Sequence, residues 1–241
     1  ALDPIGKNNF FNSVHLKKIL HHDLRQDICN LKQLQKIINK YKPEIIFHLA
    51  ALIAIPYSYV APESFIDTNI KGTLNILNAS IKNKVNKILI TSTSEVYGTA
   101  LYVPIDEGHP LQPQSPYSAS KISADAIAKS FFNSFDAPVI IVRPFNTYGP
   151  RQSARAVIPN IISQIASGNE YVSLGDVSPT RDFTFVEDTC RAFLEISTNE
   201  NLFGKTINIG SGDEISIRKI FDVINEIMNS KSKIKYENER L

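Results

Sequence analysis

Tyr117 and Lys121 stand four residues apart, and the polar run Thr91-Ser92-Thr93-Ser94-Glu95 directly follows the strand-like stretch Lys87-Ile88-Leu89-Ile90. On a helix, an i,i+4 spacing brings a phenol and an ammonium onto one face. An ammonium beside a phenol favours the phenolate and draws its pKa down from about 10 towards neutrality. A phenolate held near a substrate hydroxyl can take its proton as a general base. Alone, Tyr-x-x-x-Lys recurs by chance, and a tyrosine at a helix start commonly does no more than pack. Two neighbours give the pair weight here: the hydroxyl and carboxylate cluster behind a strand, and Pro116 just before the tyrosine. Polar residues at the C-terminal ends of strands are where open α/β sheets place their ligands.

The elements that must position these groups are legible as periodicity. Leu31, Leu34, Ile37, Ile38 and Tyr41 recur at helical spacing up to Pro43, and Glu44 to Ala51 is a short apolar run suited to a buried parallel strand. A long helix is predicted over 64–82 and a second over 118–135. Pro138 to Val142 is another β-branched strand, leaving through Asn, Gly and two prolines; Ile207 to Gly210 is a last short strand, and 216–228 a last amphipathic helix. Strands alternating with helices predict an α/β fold with a doubly wound parallel sheet.

With 26 basic and 24 acidic residues in 241, the formal charge is +2, and no block of like charge suggests a nucleic-acid or membrane surface. No apolar run reaches a membrane span, and Cys29 and Cys190 have no metal-type spacing, so a soluble cytoplasmic protein with reduced, structural cysteines and no metal is expected.

The chain resembles the extended short-chain dehydrogenase/reductases, the NAD-dependent sugar-nucleotide epimerases and dehydratases. The resemblance rests on His48-Leu49-Ala50-Ala51, Asn69-Ile70-Lys71-Gly72-Thr73, Thr93-Ser94-Glu95-Val96-Tyr97-Gly98, Tyr117 with Lys121, Arg143-Pro144-Phe145-Asn146, Arg181-Asp182-Phe183 and Asn208-Ile209-Gly210, in the family's order. It implies a Rossmann-like NAD domain over 1–150, with later strands returning from 183–210, and a smaller substrate lobe over 151–241. The family's first strand and glycine loop are missing, so the sequence reads as truncated, and as given is expected to bind NAD poorly.

The resemblance implies Asp3, Asp23, Leu24, Leu49, Ala50, Ala51, Asn69, Thr91, Ser92, Tyr117, Lys121 and Pro144 as the cofactor side. It implies Thr93, Asn146, Val157, Gly175 and Arg181 as the substrate side; an arginine fork suits phosphate oxygens, whereas a salt bridge of Arg181 to Asp182 or Asp188 is the plain alternative. His48 reads as a satisfied core histidine. The two long helices would pair with their copies in a homodimer.

In the chemistry so implied, Tyr117 takes the proton of a sugar 4-hydroxyl, Lys121 tunes the tyrosine, and Thr93 hydrogen-bonds the same hydroxyl. Epimerases usually have neutral groups after that threonine, whereas Glu95 offers a carboxylate for the C5 proton, as in 4,6-dehydratases. Many of those carry Asp where Ser94 stands. The sequence looks most like bacterial nucleotide-linked N-acetylglucosamine 4,6-dehydratases of nonulosonic-acid pathways, which supply surface polysaccharides. UDP-sugar 4-epimerases and UDP-glucuronate decarboxylases are the alternatives within the family. A non-catalytic dinucleotide-binding protein is the alternative outside it, although such proteins commonly lose the tyrosine or lysine kept here.

Overall fold

The computed structural model describes residues 22–237, so Asp3 lies outside the described residues. In chain order the elements are α1 (Leu31–Tyr41), β1 (Ile45–His48), α2 (Ile55–Val60), α3 (Pro62–Phe65), a π-helical turn (Ile66–Lys71), α4 (Gly72–Lys82), β2 (Lys87–Thr91), α5 (Pro116–Phe135) and β3 (Val139–Pro144). There follow β4 (Asn146–Tyr148), α6 (Val157–Ala166), β5 (Tyr171–Leu174), β6 (Thr180–Arg181), β7 (Phe183–Phe185), α7 (Val186–Thr198), β8 (Thr206–Ile209), β9 (Ile215–Ser216), α8 (Ile217–Ile227) and β10 (Lys233–Tyr236). Two compact units result. The first runs to Pro144 and resumes over Ala192–Ile209; the second is Phe145–Arg191 with the chain from Gly210 onward.

The first unit is a parallel sheet in the order β1-β2-β3-β8. It is buried on both faces because its central strands are apolar over Ile88–Ile90 and Val139–Val142. Ile88 and Ile90 of β2 and Val139 and Ile141 of β3 meet Leu34, Ile38, Leu77 and Phe131 of the helices. Leu89, Ile140 and Val142 point the other way, onto Phe193 and Ile196 of α7. Side chains alternating about a sheet with a helical layer on each side make it doubly wound. The strand expected over Glu44 to Ala51 is shorter and less covered than its composition implied. As an edge strand among the described residues, β1 leaves Ile45 and Phe47 partly open.

The helix predicted over 64–82 is not continuous. A π-helical turn interrupts it at Ile66–Lys71, and such insertions rotate the following residues relative to a regular helix. Here the turn carries Asn69, 1 % exposed, to the inside. Its amide clasps Leu52 from both sides, accepting from the backbone nitrogen at 2.8 Å and donating to the carbonyl at 2.9 Å, and donates to Ser120 Oγ at 2.9 Å. Asn69 thereby fastens the loop after β1 to the helix that carries Tyr117 and Lys121. Asn69→Ala strands a partly buried backbone amide and carbonyl and is expected to cost about 2 kcal/mol. Urea unfolding checks this; a loss below about 1 kcal/mol would show the clasp to be dispensable.

Thr73 Oγ1 donates to the Asn69 carbonyl at 2.6 Å, so it can only accept from His48 Nε2, 3.0 Å away. His48 is thus hydrogen-bonded in the core, its pKa pushed down to about 3 by burial and by the Lys121 charge. Surplus apolar surface on the two long helices is confined to their ends, at Ile66 and Phe135. On α4, Ile76, Leu77 and Ala79 are consumed by the unit's own core.

The second unit holds short strands too brief for an alternating pattern to announce. β5 pairs β10 and β4 pairs β7, both in parallel, and β6 pairs β9 antiparallel. Its core joins Ile161 and Ile165 of α6, Val172 and Leu174 of β5, and Ile220 and Phe221 of α8. Of the cysteines, Cys29 is half-buried and donates to the Asp67 carbonyl, whereas Cys190 is exposed and so is no packing residue; neither is in a disulfide.

Candidate active site

Helix α5 begins where the sequence places a start signal. Ser115 Oγ accepts from Ser118 N at 3.0 Å while Ser118 Oγ accepts from Ser115 N at 2.9 Å, and Pro116 fills the first helical position. That start fixes Tyr117 in the first turn, 6 % exposed, its ring edge-on to Phe65 at 6.3 Å. Lys121 and Asp125 follow at successive i+4 positions, both buried, so phenol, ammonium and carboxylate form one stripe.

The electrostatics depart from the expectation that Lys121 draws the tyrosine down. The Tyr117 phenol is pushed up to about 12, first by burial, which strips water from the phenolate, and further by the negative charges of Glu95 and Asp125. A hydrogen bond with Thr93 pulls the other way. The Lys121 ammonium is engaged elsewhere, donating to the Thr91 carbonyl at 2.7 Å. Burial lowers its pKa and the Asp125 carboxylate raises it.

The polar cluster behind β2 turns tightly. Thr93 is extended and caps a single 3-10 turn over Ser94–Val96, its Oγ1 accepting from Glu95 N at 3.2 Å. That turn holds Ser94 and Glu95, both half-buried, with the Glu95 charge close enough to act on the tyrosine. Gly98 lets the chain leave: its φ is +64°, and a Cβ there would lie 2.8 Å from the Gln112 carbonyl oxygen.

Behind the cluster lies a buried network. Ser92 Oγ donates to Asp125 Oδ2 at 2.8 Å, and Arg143 donates to the same oxygen through Nε and Nη2 at 3.0 and 2.9 Å. Arg143 Nη1 reaches Tyr97 OH at 3.0 Å, and that hydroxyl donates to Asn208 Oδ1 at 2.7 Å. Asp125 is the residue sequence reasoning missed, and Arg143, Tyr97 and Asn208 had served only as family markers. The signal for Asp125 was its place four residues after Lys121.

The remaining cofactor-side candidates of this unit gather at the C-terminal ends of adjacent strands. Leu49, Ala50 and Ala51 follow β1, Thr91 ends β2 with Ser92 just after it, and Pro144 ends β3. Leu49 is open to solvent, and Thr91 Oγ1 is buried with no partner among the described residues. An open apolar side chain beside an unpaired hydroxyl fits a dinucleotide lying across the strand ends. Asp23 is exposed and pairs with Arg25 at 3.6 Å, with Leu24 beside it.

In the second unit, Asn146 opens β4 with its amide on the Asp182 carbonyl at 3.1 Å, Val157 opens α6, and Gly175 follows β5. Arg181 is exposed and makes no ion pair among the described residues; Asp188 pairs instead with Arg191, and Asp182 accepts from Ser211 and Gly212. This unit also holds a cleft of about 470 Å³ between Tyr148, Phe183 and Ile224, lined by none of those four candidates. Among the described residues no group of acidic, His or Cys side chains could hold a metal, and no helix is long and apolar enough to cross a membrane.

Comparison with known proteins gives this arrangement a lineage. The chain is 34 % identical over 198 residues to the low-salt glycan biosynthesis protein Agl12 of Haloferax volcanii, covering 82 % of this chain and 64 % of that protein. It is 32 % identical over 216 residues to the dTDP-D-glucose 4,6-dehydratase of Homo sapiens, covering 89 % and 61 %. The chain thus spans somewhat less than two thirds of the length of these relatives. Among solved structures it resembles the UDP-glucuronic acid 4-epimerase of Bacillus cereus, a complex with UDP-glucuronic acid and NAD, with a TM-score of 0.88 at 26 % identity over 98 % of this chain and 76 % of that one. The family model described as GDP-mannose 4,6 dehydratase matches residues 7–240, and the chain belongs to that family of sugar-nucleotide dehydratases and epimerases.

Proposed function

We propose that the protein is an NAD-dependent 4,6-dehydratase acting on a UDP- or GDP-linked N-acetylglucosamine. The observation that carries this reading is Glu95, a carboxylate set by the turn after Thr93 close enough to Tyr117 for its charge to act on the phenol. In this reading Tyr117 takes the proton of the sugar 4-hydroxyl, which Thr93 also hydrogen-bonds. Lys121 binds the cofactor's ribose together with Leu49, Ala50, Ala51, Thr91 and Ser92. Bound NAD would supply a hydride acceptor for C4 and the donor for C6, and as C6 is reduced C5 would regain a proton from solvent. The ketone at C4 acidifies the C5 proton, Glu95 removes it, and the C6 hydroxyl leaves as water. Ser94 supplies no strong acid, so Glu95 hands on the proton it has taken. Asn146 and Arg181 bind the diphosphate, with Val157 and Gly175 on the substrate side. The expected homodimer would use 64–82 and 118–135, where Ile66 and Phe135 stand open.

Ser94 favours a second reading, decarboxylation of UDP-glucuronate, in which carbon dioxide leaves from C5 and no acid is needed. Mass spectrometry of the full-length protein with NAD and each candidate sugar nucleotide separates the two. The expected result is loss of one water from UDP- or GDP-N-acetylglucosamine. Release of carbon dioxide from UDP-glucuronate, with no water lost from the others, would establish the second reading instead.

A further inference from the structure

We propose that Asp125 is a positioning residue of the reaction: it is the shared counter-ion of Lys121 and Arg143, and it holds the ammonium in register with Tyr117. The inference rests on the reading of Tyr117 and Lys121 as the reacting pair. Three donors converge on one oxygen, Oδ2: Ser92 Oγ at 2.8 Å and the Arg143 Nε and Nη2 at 3.0 and 2.9 Å. The other oxygen, Oδ1, is buried and has no partner among the described residues. A core carboxylate that only stabilised the fold would be expected to satisfy both oxygens, because an unpaired buried acceptor costs stability. The spare oxygen belongs to a side chain one helical turn from Lys121, on the same stripe.

The charges around Lys121 single out the same group. Arg143 on β3 is a second buried cation, and His48 on β1 is held neutral by burial and by the lysine's own charge. Glu95 and Asp125 both act on Tyr117, but only Asp125 raises Lys121 against its burial. Without that carboxylate the buried Arg143 guanidinium loses its ion pair and the buried Lys121 ammonium loses the one charge that favours it, so the lysine is displaced or gives up its proton more readily.

The sign of the effect is fixed. The Asp125 charge raises both Tyr117 and Lys121. Asp125→Asn keeps the shape, removes the charge and lowers both, so the whole activity–pH curve should move to lower pH. In the full-length protein at saturating NAD and sugar nucleotide, kcat at the new optimum should fall about 10–100-fold, within what a well-placed base contributes. KM for the sugar nucleotide should change less than about threefold, since the carboxylate does not face it.

Should Asp125→Asn fail to fold, Ser92→Ala provides the second arm. It removes one donor from Oδ2, which weakens the carboxylate's charge while the Arg143 pair remains. It should shift the curve the same way by less. An unmoved pH curve in whichever variant folds overturns the inference, whatever happens to stability. Tyr117→Phe run alongside separates the two levels: if it retains activity, the underlying reading fails; if it is inactive and the pH curve of Asp125→Asn is unmoved, only the role of Asp125 fails.

Discussion

Tyr117→Phe is expected to lower turnover by at least about 10²-fold, and towards 10⁴-fold, while sugar-nucleotide binding changes little. The substitution removes one oxygen and leaves the ring that packs edge-on against Phe65. It forfeits the hydrogen bond with Thr93, which is worth about 1 kcal/mol, so the fold should tolerate it. The phenol in the free protein is pushed up to about 12, well above neutrality. The proton must therefore move only when substrate and cofactor occupy the strand ends, which makes the catalytic cost of losing the hydroxyl large and the binding cost small. Steady-state rates with calorimetric binding check both halves. A variant with more than half the wild-type rate would remove Tyr117 from the chemistry.

Glu95→Gln is expected to stop the reaction at a different point. The amide keeps the shape and a hydrogen-bonding group but cannot take the C5 proton, and loss of a general base costs about 10²–10⁴-fold. Oxidation at C4 does not use this carboxylate. A single turnover quenched with borodeuteride should therefore place deuterium at C4 of a sugar that has lost no water. Removing the negative charge also relieves one of the influences that raise Tyr117, so the first step should not be slowed. An epimerase would be nearly indifferent to the change, because its C5 proton never leaves. Normal turnover by Glu95→Gln would therefore replace the dehydratase reading with the epimerase.

The central strands and the helix that carries Tyr117 and Lys121 were legible because each carries its own signal. β2 and β3 carry apolar runs over Ile88–Ile90 and Val139–Val142, as strands covered on both faces must, and the helix expected over 118–135 starts two residues earlier, at Pro116 behind the Ser115 cap. The motif residues from Thr91 to Lys121 come together within the first unit. Depth was not legible. The i,i+4 spacing of Tyr117 and Lys121 suggested a lowered phenol, but burial and two carboxylates raise it, and the ammonium is held by the Thr91 carbonyl. Asn69 read equally well as a surface residue because a π-helical turn leaves no mark in composition, and that turn brings it inside. The Asp125–Arg143 pair joins a helix to a strand across 18 residues, a distance no local pattern encodes. The two- to four-residue strands of the second unit are too short for periodicity to separate from loop.

The claim that a ketone at C4 is used to loosen C5 is tested most directly by running the wild-type, full-length protein in deuterium oxide and reading the hexose product by NMR. A 4,6-dehydratase must exchange the C5 proton, because a base, Glu95 in the proposed reading, removes it and a proton from solvent replaces it. One deuterium at C5, in a product lighter by one water, is the expected result. A product of unchanged mass apart from solvent exchange at hydroxyls, with hydrogen retained at C5, would contradict it.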